Sequence, residues 1–176
     1  MSVMAGSERQ PIEVRAGFEV FFRTHFDGVA RAAALIAGDL GSGQELAQEA
    51  YLRLYERWGA MTSDDHARNF VYKVAINLAR SHRRKHVRLI LMRFDRDEDS
   101  EASEDAPSDG DVLVALRRLP HRQRACVVLV DLVDMDAAGV ARTLGISAST
   151  VRVHLMRGRQ ALRAALGVEP GEDEAR

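Results

Sequence analysis

The sequence of 176 residues has few residues of several types, and each scarcity excludes a class of protein. The single cysteine, Cys126, rules out an intrachain disulfide, and its apolar neighbours predict a buried structural thiol. Aromatic residues make up only 6% of the chain, which is typical of helical proteins. Apolar segments are short or interrupted by charge, as at Arg31, and no secretory signal is recognisable. We therefore expect a cytoplasmic protein without membrane insertion.

Charge is nearly balanced over the whole chain, with a formal net charge of −1, but it is arranged in blocks. Residues 80–93 contain six Arg or Lys and no acid, whereas residues 95–111 contain nine Asp or Glu and one Arg. Residues 112–168 are basic again, and the tail from Glu169 is acidic. The acidic stretch Asp95–Gly110 lacks the apolar residues of a core, so it predicts a flexible tether between two basic modules.

Residues 136–166 have the pattern of a helix-turn-helix. Ala141, Gly145 and Val151 are spaced as the close-packing residue, the turn glycine and the core residue of that motif. Ser147 stands where it can cap the second helix. A buried stripe follows at steps of three and four (Val151, Leu155, Gly158, Leu162, Leu166), and the remaining faces carry Ser149, Arg152, Val153, Met156, Arg157 and Gln160. This pattern favours a DNA-recognition helix over an ordinary helical hairpin with a solvated basic face.

Amphipathic helices are predicted in the N-terminal half. Residues 1–17 lack periodicity and are expected to be frayed, whereas the following Phe stripe is expected to be core: Phe18, Phe21, Phe22 and Phe26. Ser42 is a candidate cap for a helix over Gln44–Trp58, on which Glu49 and Arg53 have the spacing of an ion pair. The polar face of this helix is, by pattern alone, a simple solvated surface.

Another long helix is predicted from His66 to about His86. Near its start Phe70, Tyr72 and Lys73 bring aromatic and basic groups together, which suits either unstacked bases or an ordinary aromatic core helix. His82 and His86 lie one turn apart, but two histidines make an incomplete zinc site, so no metal is expected. Farther on, a short helix from Val112 ends before Pro120 and an apolar helix covers Gln123–Val133, giving a second bundle of four or five helices.

Three of these segments, in this order, resemble the extracytoplasmic-function (group 4) sigma factors of bacterial RNA polymerase, within the sigma-70 family. ELAQEAYLRLYERW is similar to region 2.2, NFVYKVAINLARSHRRK to regions 2.3 and 2.4, and LRRLPHRQRACVVLV with VARTLGISASTVRVHLMRGRQALR to region 4. The resemblance implies an all-α fold of two small helical domains. Their expected bounds are region 2 at 18–93, a linker at 94–111, region 4 at 112–167 and an acidic tail at 168–176.

The resemblance also implies partners and site residues. The protein would bind core RNA polymerase at the β′ clamp helices and the β flap. It would bind promoter DNA at the −10 and −35 elements. A separate anti-sigma factor would regulate it. The linker would run towards the RNA exit channel. Implied core-polymerase contacts are Glu45, Gln48, Glu49 and Arg53. Implied −10 contacts are Phe70, Lys73, Asn77, Arg80, Arg83 and Arg84. Implied −35 contacts are Ser149, Thr150, Arg152, Val153, Met156 and Arg157.

Three positions depart from the family pattern: Phe70 stands where Trp is usual, Gly139 where an acid is usual, and Arg80-Ser81 where an aspartate often follows NLA. Gly139 is expected to remove a surface charge and to weaken its helix by up to about 1 kcal/mol relative to Ala. No cofactor and no catalytic chemistry are expected, because the sequence has no nucleophile–base pair, phosphate loop or complete metal set. The rival interpretation is a stand-alone helix-turn-helix regulator that binds an operator as a dimer.

Overall fold

A computed structural model describes residues 12–94 and 110–167 of the chain, and these residues form α-helices and short helical turns without a strand. The N-terminal half consists of α1 (Ile12–Ala37), α2 (Gly43–Tyr55) and α3 (Asp64–Phe94), with 3-10 turns at Leu40–Ser42 and Trp58–Ala60. The C-terminal half consists of α4 (Gly110–Arg118), α5 (His121–Val127), a π-helical turn (Val128–Leu132), α6 (Ala137–Leu144) and α7 (Ala148–Leu166). The predicted all-α fold is confirmed. The acidic stretch predicted to be a tether lies almost wholly outside the described residues.

Helix α1 is longer than the sequence pattern indicated. It begins at Ile12, so part of the segment expected to be frayed is helical, and the Phe stripe and the next apolar segment belong to one helix. The stripe is core as predicted: Phe21 is 4% exposed, and the rings of Phe18 and Trp58 meet edge to face with centroids 5.3 Å apart. Aromatic packing against Tyr55 of α2 and against the 3-10 turn that follows therefore holds this part of α1 in place.

The entry to α2 differs from the prediction that Ser42 caps this helix. The Ser42 hydroxyl makes no capping bond to α2 and instead donates to the Asp39 carbonyl oxygen at 3.0 Å. Asp39 caps the preceding 3-10 turn by accepting from the Gly41 amide at 3.0 Å. Gly43 opens α2 against α1, where an added Cβ would lie 2.5 Å from the Ala30 carbonyl oxygen. The connection between α1 and α2 is therefore a 3-10 turn that leads directly into α2, rather than a loop with one cap.

The helix-turn-helix has the predicted turn glycine and the predicted helix cap. Gly145 ends α6 in the left-handed conformation, with φ 65°, and the Ser147 hydroxyl caps α7 by accepting from the Thr150 amide at 3.1 Å. Val151 is fully buried beneath the motif. Asp136 caps α6 by accepting from the Gly139 amide at 2.8 Å. Both helices are thus capped by side chains that lie directly before them in the sequence.

Gly139 is not the surface position that the family pattern implied. It is buried, and a Cβ there would lie 2.8 Å from Asp136 Oδ1 and 2.9 Å from Met135 Cγ. The expectation of a missing surface charge is therefore wrong, and alanine would not fit this arrangement without movement of Met135. The first turn of α6 packs against Met135 and Asp136, the two residues that directly precede the helix, and glycine fits there because it has no Cβ.

The two halves also pack on each other, an arrangement that the sequence did not predict. Helix α6 lies against α3, and α4 and the π-helical turn lie against α1. Ile36 and Leu129 are both fully buried and belong to one continuous hydrophobic cluster that spans both halves. The described part of the chain is consequently a single compact body.

Candidate nucleic-acid and polymerase-binding surfaces

Helix α7 separates a buried side from an exposed side, as its sequence predicted. Val151 and Gly158 are buried, whereas Arg152, Val153, Met156 and Arg157 are exposed, Met156 to 61%. Exposed apolar side chains between arginines suit the major groove, where thymine methyl groups and guanine edges are read. The exposed side of α7 is therefore a candidate base-reading surface.

The first turn of α7 is preorganised by a cluster of hydroxyl groups. Ser147 Oγ lies 2.8 Å from Ser149 Oγ and 2.7 Å from Thr150 Oγ1. Ser149 and Thr150, two of the predicted −35 contacts, are thus already engaged with the helix cap. Thr150 is half-buried, so only its hydroxyl edge is available to a phosphate or a base.

The orientation of α7 is also fixed by an ion pair that the sequence analysis missed. Arg159 donates to both carboxylate oxygens of Asp131, at 2.5 and 3.3 Å, and so ties α7 to the π-helical turn. The two residues are 28 positions apart, so no local spacing pattern indicates the pair.

Five of the six predicted −10 contacts share one side of α3. Phe70, Lys73, Asn77, Arg80 and Arg84 follow one another at steps of three and four, and all except Phe70 are exposed. Phe70 is half-buried, and the guanidinium of Arg57 lies 5.8 Å from its ring centroid. A half-buried ring beside exposed cations is suited to stack a base while the cations meet phosphates.

Two further residues of α3, Arg83 and Tyr72, do not lie free on this exposed side. Arg83 lies about 100° around the helix from Arg84, and its Nη2 donates to the Arg117 carbonyl oxygen at 2.9 Å. Tyr72 is 3% exposed, and burial raises its pKa, so it is a core residue rather than a base-stacking one. Arg83 is a neighbour of Arg80, but its guanidinium is engaged by a carbonyl group of the C-terminal half.

The predicted polymerase contacts lie side by side on α2. Glu45, Gln48, Glu49 and Arg53 are all exposed, and the predicted Glu49–Arg53 ion pair is present at 2.6 Å. Leu52 is 66% exposed on the same side and lines a shallow, mainly apolar groove with Phe22 and Tyr55. Leu52 was missed, although its position three and four residues after Glu49 and Gln48 places it on the polar face. The apolar groove, rather than Leu52 alone, makes this side of α2 a candidate protein-binding surface.

The surroundings of the α3 histidines and of the lone cysteine bear on metal binding and on redox chemistry. His82 and His86 stack with ring centroids 6.4 Å apart, and Asp39 Oδ2 lies 3.9 Å from His82 Nε2. The turn that follows α1 brings Asp39 to His82, a proximity that sequence spacing does not indicate. Within the described ranges, no group of three or more His, Cys, Asp or Glu could hold a metal ion. Burial raises the pKa of Cys126 to about 11, which keeps the thiol protonated and inert.

Membrane insertion has no support among the described helices. In residues 12–94 and 110–167, none is both long and apolar enough to cross a bilayer.

Comparison with known proteins places these surfaces in a family context. The family models for Sigma-70 region 2 and Sigma-70, region 4 match residues 21–89 and 109–162. The ECF RNA polymerase sigma factor SigM of Mycobacterium tuberculosis is 30% identical over 160 residues, which cover 87% of this chain and 79% of that protein. SigE of Mycolicibacterium smegmatis is 28% identical over 162 residues, which cover 85% of this chain. The chain spans 62% of the length of that SigE.

A solved structure has the same fold. It is the sigma factor RpoE in complex with the anti-sigma factor NepR from Bartonella quintana, with a TM-score of 0.72. The superposition covers 88% of this chain and 99% of that chain at 16% identity, so it bears on the fold alone.

Proposed function

Because the chain belongs to the extracytoplasmic-function sigma factors of the sigma-70 family, we propose that it binds core RNA polymerase and directs promoter-specific initiation. The observation that carries this proposal is the presence of two distinct candidate DNA surfaces in one chain. One is the stripe from Phe70 to Arg84 on α3, and the other is the exposed side of α7. A protein that reads one operator needs only the second.

The two DNA surfaces would do different work. On α7, Arg152 is placed to read a guanine edge and Val153 and Met156 to contact thymine methyl groups in the −35 element. On α3, the Phe70 ring would stack an unpaired base of the −10 element while Lys73 and its neighbours neutralise phosphates. The resulting affinity would fall with salt, whereas the sequence preference would come mainly from α7.

The α2 surface would dock on core polymerase. Gln48 and Glu49 offer polar contacts, and Leu52 offers an apolar anchor between them that a polymerase helix would cover. At protein interfaces a few well-packed, fully desolvated residues contribute most of the binding free energy, and the groove beside Leu52 offers such a pocket. The acidic character of the surface favours a basic partner patch.

In this function the chain performs no catalysis itself, since polymerase supplies the chemistry. We place its action in the cytoplasm, at the nucleoid, where polymerase and promoter DNA lie. A separate anti-sigma factor is the regulator that we propose, and it would act by covering the polymerase-binding or the DNA-binding surface.

Run-off transcription from a promoter library tests this function. The chain, core polymerase and the two together are compared on templates with randomised −10 and −35 positions. We expect transcripts only from the combination, starting at promoters that share two separated elements. Binding to a symmetric operator without polymerase, together with no transcripts, would instead support the stand-alone regulator.

A further inference from the structure

Five arginines from three helices gather around one histidine near the start of α5. We call this set, together with His121, the arginine cluster: Arg80, Arg83, Arg117, Arg122 and Arg124. Four of these arginines act electrostatically on His121, and Arg83 and Arg117 act on Arg124. Among the described residues, every charged group that acts on either His121 or Arg124 is an arginine. The cluster therefore concentrates positive charge that no neighbouring carboxylate balances.

Hydrogen bonds to main-chain oxygens fix the inner members of the cluster. Arg83 Nη2 and Arg124 Nη2 both donate to the Arg117 carbonyl oxygen, at 2.9 and 2.7 Å, which brings two guanidinium groups onto one acceptor. Arg117 Nε donates to the Gly38 oxygen at 2.6 Å. Arg124 is fully buried, and its Nη1 donates to the Ile36 oxygen at 3.0 Å. A carbonyl oxygen carries only a partial charge, so these bonds orient the cations without neutralising them.

Asp39, the residue that follows Gly38, does not supply the missing negative charge. Its Oδ1 accepts from the Gly41 amide at 3.0 Å, and its Oδ2 lies 3.9 Å from His82 Nε2. It is not among the groups that act on His121 or on Arg124. The charge of the cluster thus remains uncompensated within the described part of the chain.

The outer members of the cluster are accessible to a ligand. Arg80 and Arg122 are exposed, and within residues 12–94 and 110–167 neither forms an ion pair or a side-chain hydrogen bond. His121 is half-buried, and its Nδ1 is buried without a hydrogen-bond partner. Burial and the arginines lower the pKa of His121 to about 4, so its ring is neutral at pH 7 and carries one N–H donor. The unused donors of the cluster are therefore those of Arg80, Arg122 and the His121 ring.

The type and number of these donors indicate a phosphate ligand of high charge. The planar guanidinium fork matches phosphate oxygens two at a time, and such charge-assisted bonds are roughly twice as strong as neutral ones. A single carboxylate carries one charge and would leave most of the cluster unbalanced. A polyphosphate places several negative charges within one small volume, which is what a compact group of cations requires.

We propose that the arginine cluster is a binding site for a compact polyphosphate anion, held by Arg80, Arg122 and the His121 ring. Inorganic polyphosphate and the phosphate groups of a nucleotide share this chemistry. Arg80 and Arg83 are also predicted −10 contacts, so a bound polyphosphate would compete with the promoter strand for two of its residues. This competition rests on the proposed sigma function, whereas the binding of polyphosphate does not.

Calorimetry on the full chain tests the binding, with tripolyphosphate as the probe. Citrate, titrated at the same ionic strength, is a compact anion with carboxylates in place of phosphates. Arg122→Gln removes one exposed cation of the site. Arg118→Gln makes the same charge change at an exposed residue of α4 that does not act on His121. Neither arginine is a candidate DNA or polymerase contact, so the pair isolates the cluster.

We expect Arg122→Gln to weaken tripolyphosphate binding by roughly tenfold, the value of one hydrogen bond to a charged group, and Arg118→Gln to leave it unchanged. Equal loss in both variants would overturn the proposal, as would the absence of binding to the wild type or equally tight binding of citrate. ATP, titrated in place of tripolyphosphate, distinguishes the two sources of the ligand. Tighter binding of ATP would assign a nucleotide, and tighter binding of tripolyphosphate would assign the inorganic chain.

Proton NMR locates the bound anion. Negative charge beside an imidazole favours its protonated form, so tripolyphosphate should raise the pH at which His121 titrates. The spectrum of His121→Gln identifies the resonance. His66 is an exposed control on the same helix as Arg80 and lies about 21 Å along α3 from it. A His121 titration that tripolyphosphate does not move, or an equal movement of His66, would overturn the assignment to the cluster.

Run-off transcription tests the competition with promoter DNA. The free chain is incubated with tripolyphosphate before core polymerase and template are added. Tripolyphosphate also chelates Mg²⁺, but this lowers polymerase activity equally for all variants. We expect half-inhibition of Arg122→Gln to need a roughly tenfold higher concentration than that of the wild type or Arg118→Gln. Equal inhibition of all three would overturn the competition, whereas a wild type inactive without tripolyphosphate would overturn the sigma function itself.

Discussion

Gly158 of α7 lies against Val127 of α5 with no room for a methyl group between them. A Cβ on Gly158 would come within 2.7 Å of Val127 Cγ2 and 3.4 Å of the Gln123 carbonyl oxygen. The backbone of the recognition helix therefore rests directly on the supporting helix. This close approach sets how far the exposed side of α7 projects towards DNA.

Gly158→Ala should destabilise the protein despite the better helix propensity of alanine. Overpacking costs roughly 1–3 kcal/mol, whereas propensity returns at most about 1 kcal/mol. Urea unfolding measures the difference, with Gln160→Ala on the exposed side of the same helix as the control. A Gly158→Ala protein as stable as the control would mean that α7 moves away from α5 without cost.

Arg152→Ala should relax base specificity, whereas Arg157→Ala should weaken binding to all sequences. Arg152 lies in the second turn of α7, and loss of a bidentate guanine contact costs about 1–3 kcal/mol of discrimination. Arg157 lies farther along, and loss of one phosphate contact lowers the salt slope by about one. Binding to matched and single-mismatch −35 sites at two salt concentrations separates these roles. Equal weakening of both sites by Arg152→Ala would assign base reading to Ser149 or Val153.

Replacing Gln48 and Glu49 with lysine should abolish core-polymerase binding while leaving the fold intact. Both side chains are exposed, and an exposed pair such as Glu49–Arg53 contributes at most about 1 kcal/mol. Glu19→Lys is a matched control, because Glu19 forms an equivalent exposed pair with Arg23 at 2.6 Å on α1. Pull-down by core polymerase and thermal melting are measured together. A large loss of melting temperature would show instead that the α2 residues serve the fold.

Acidification should destabilise the protein partly through His121. Burial and the surrounding arginines lower the pKa of His121 from 6.5 to about 4 in the folded state. Between those values the unfolded chain binds more protons than the folded chain, so stability falls as the pH falls through that window. The loss should be roughly 1–2 kcal/mol, because one pKa unit is worth about 1.4 kcal/mol and part of the ring is solvated.

The variant His121→Gln tests this pH dependence in urea unfolding at pH 7 and pH 4.5. Its stability should fall less steeply than that of the wild type. Some dependence should remain, because burial and Arg68 also lower the pKa of His25. His86→Gln, at an exposed position of α3, is measured beside it as a control for the loss of a histidine side chain. Equal slopes for His121→Gln and the wild type would remove His121 from the explanation.

Much of the fold followed from local signals in the sequence. Gly145 and Ser147 mark the turn and the cap of the helix-turn-helix. Apolar periodicity predicted the buried Phe stripe and the two sides of α7. These features were predictable because a cap or a helical face depends on residues at most a few positions apart.

The sequence left a residue's environment open, or predicted it wrongly, where a neighbouring segment packs on that residue. By pattern alone Tyr72 suited either base stacking or a core helix, and packing of the three N-terminal helices buries it. Gly139 was read as a surface position, but Met135 folds over it. Helical spacing tells which residues share a side, whereas the neighbouring elements decide which side is covered.

Only the tertiary structure decided how the two halves meet. Arg124 and the Ile36 carbonyl oxygen are 88 residues apart, and Arg83 and the Arg117 carbonyl oxygen are 34 apart. Every residue has a backbone carbonyl group, so the acceptor of such a bond can be a residue of any type. The sequence therefore contains no pattern that shows which arginine bonds to which carbonyl group. The sequence by itself therefore determined the helices, their caps and the candidate DNA-reading face of α7. Which arginines are available to DNA and which join the two halves depends on backbone positions that only folding brings together.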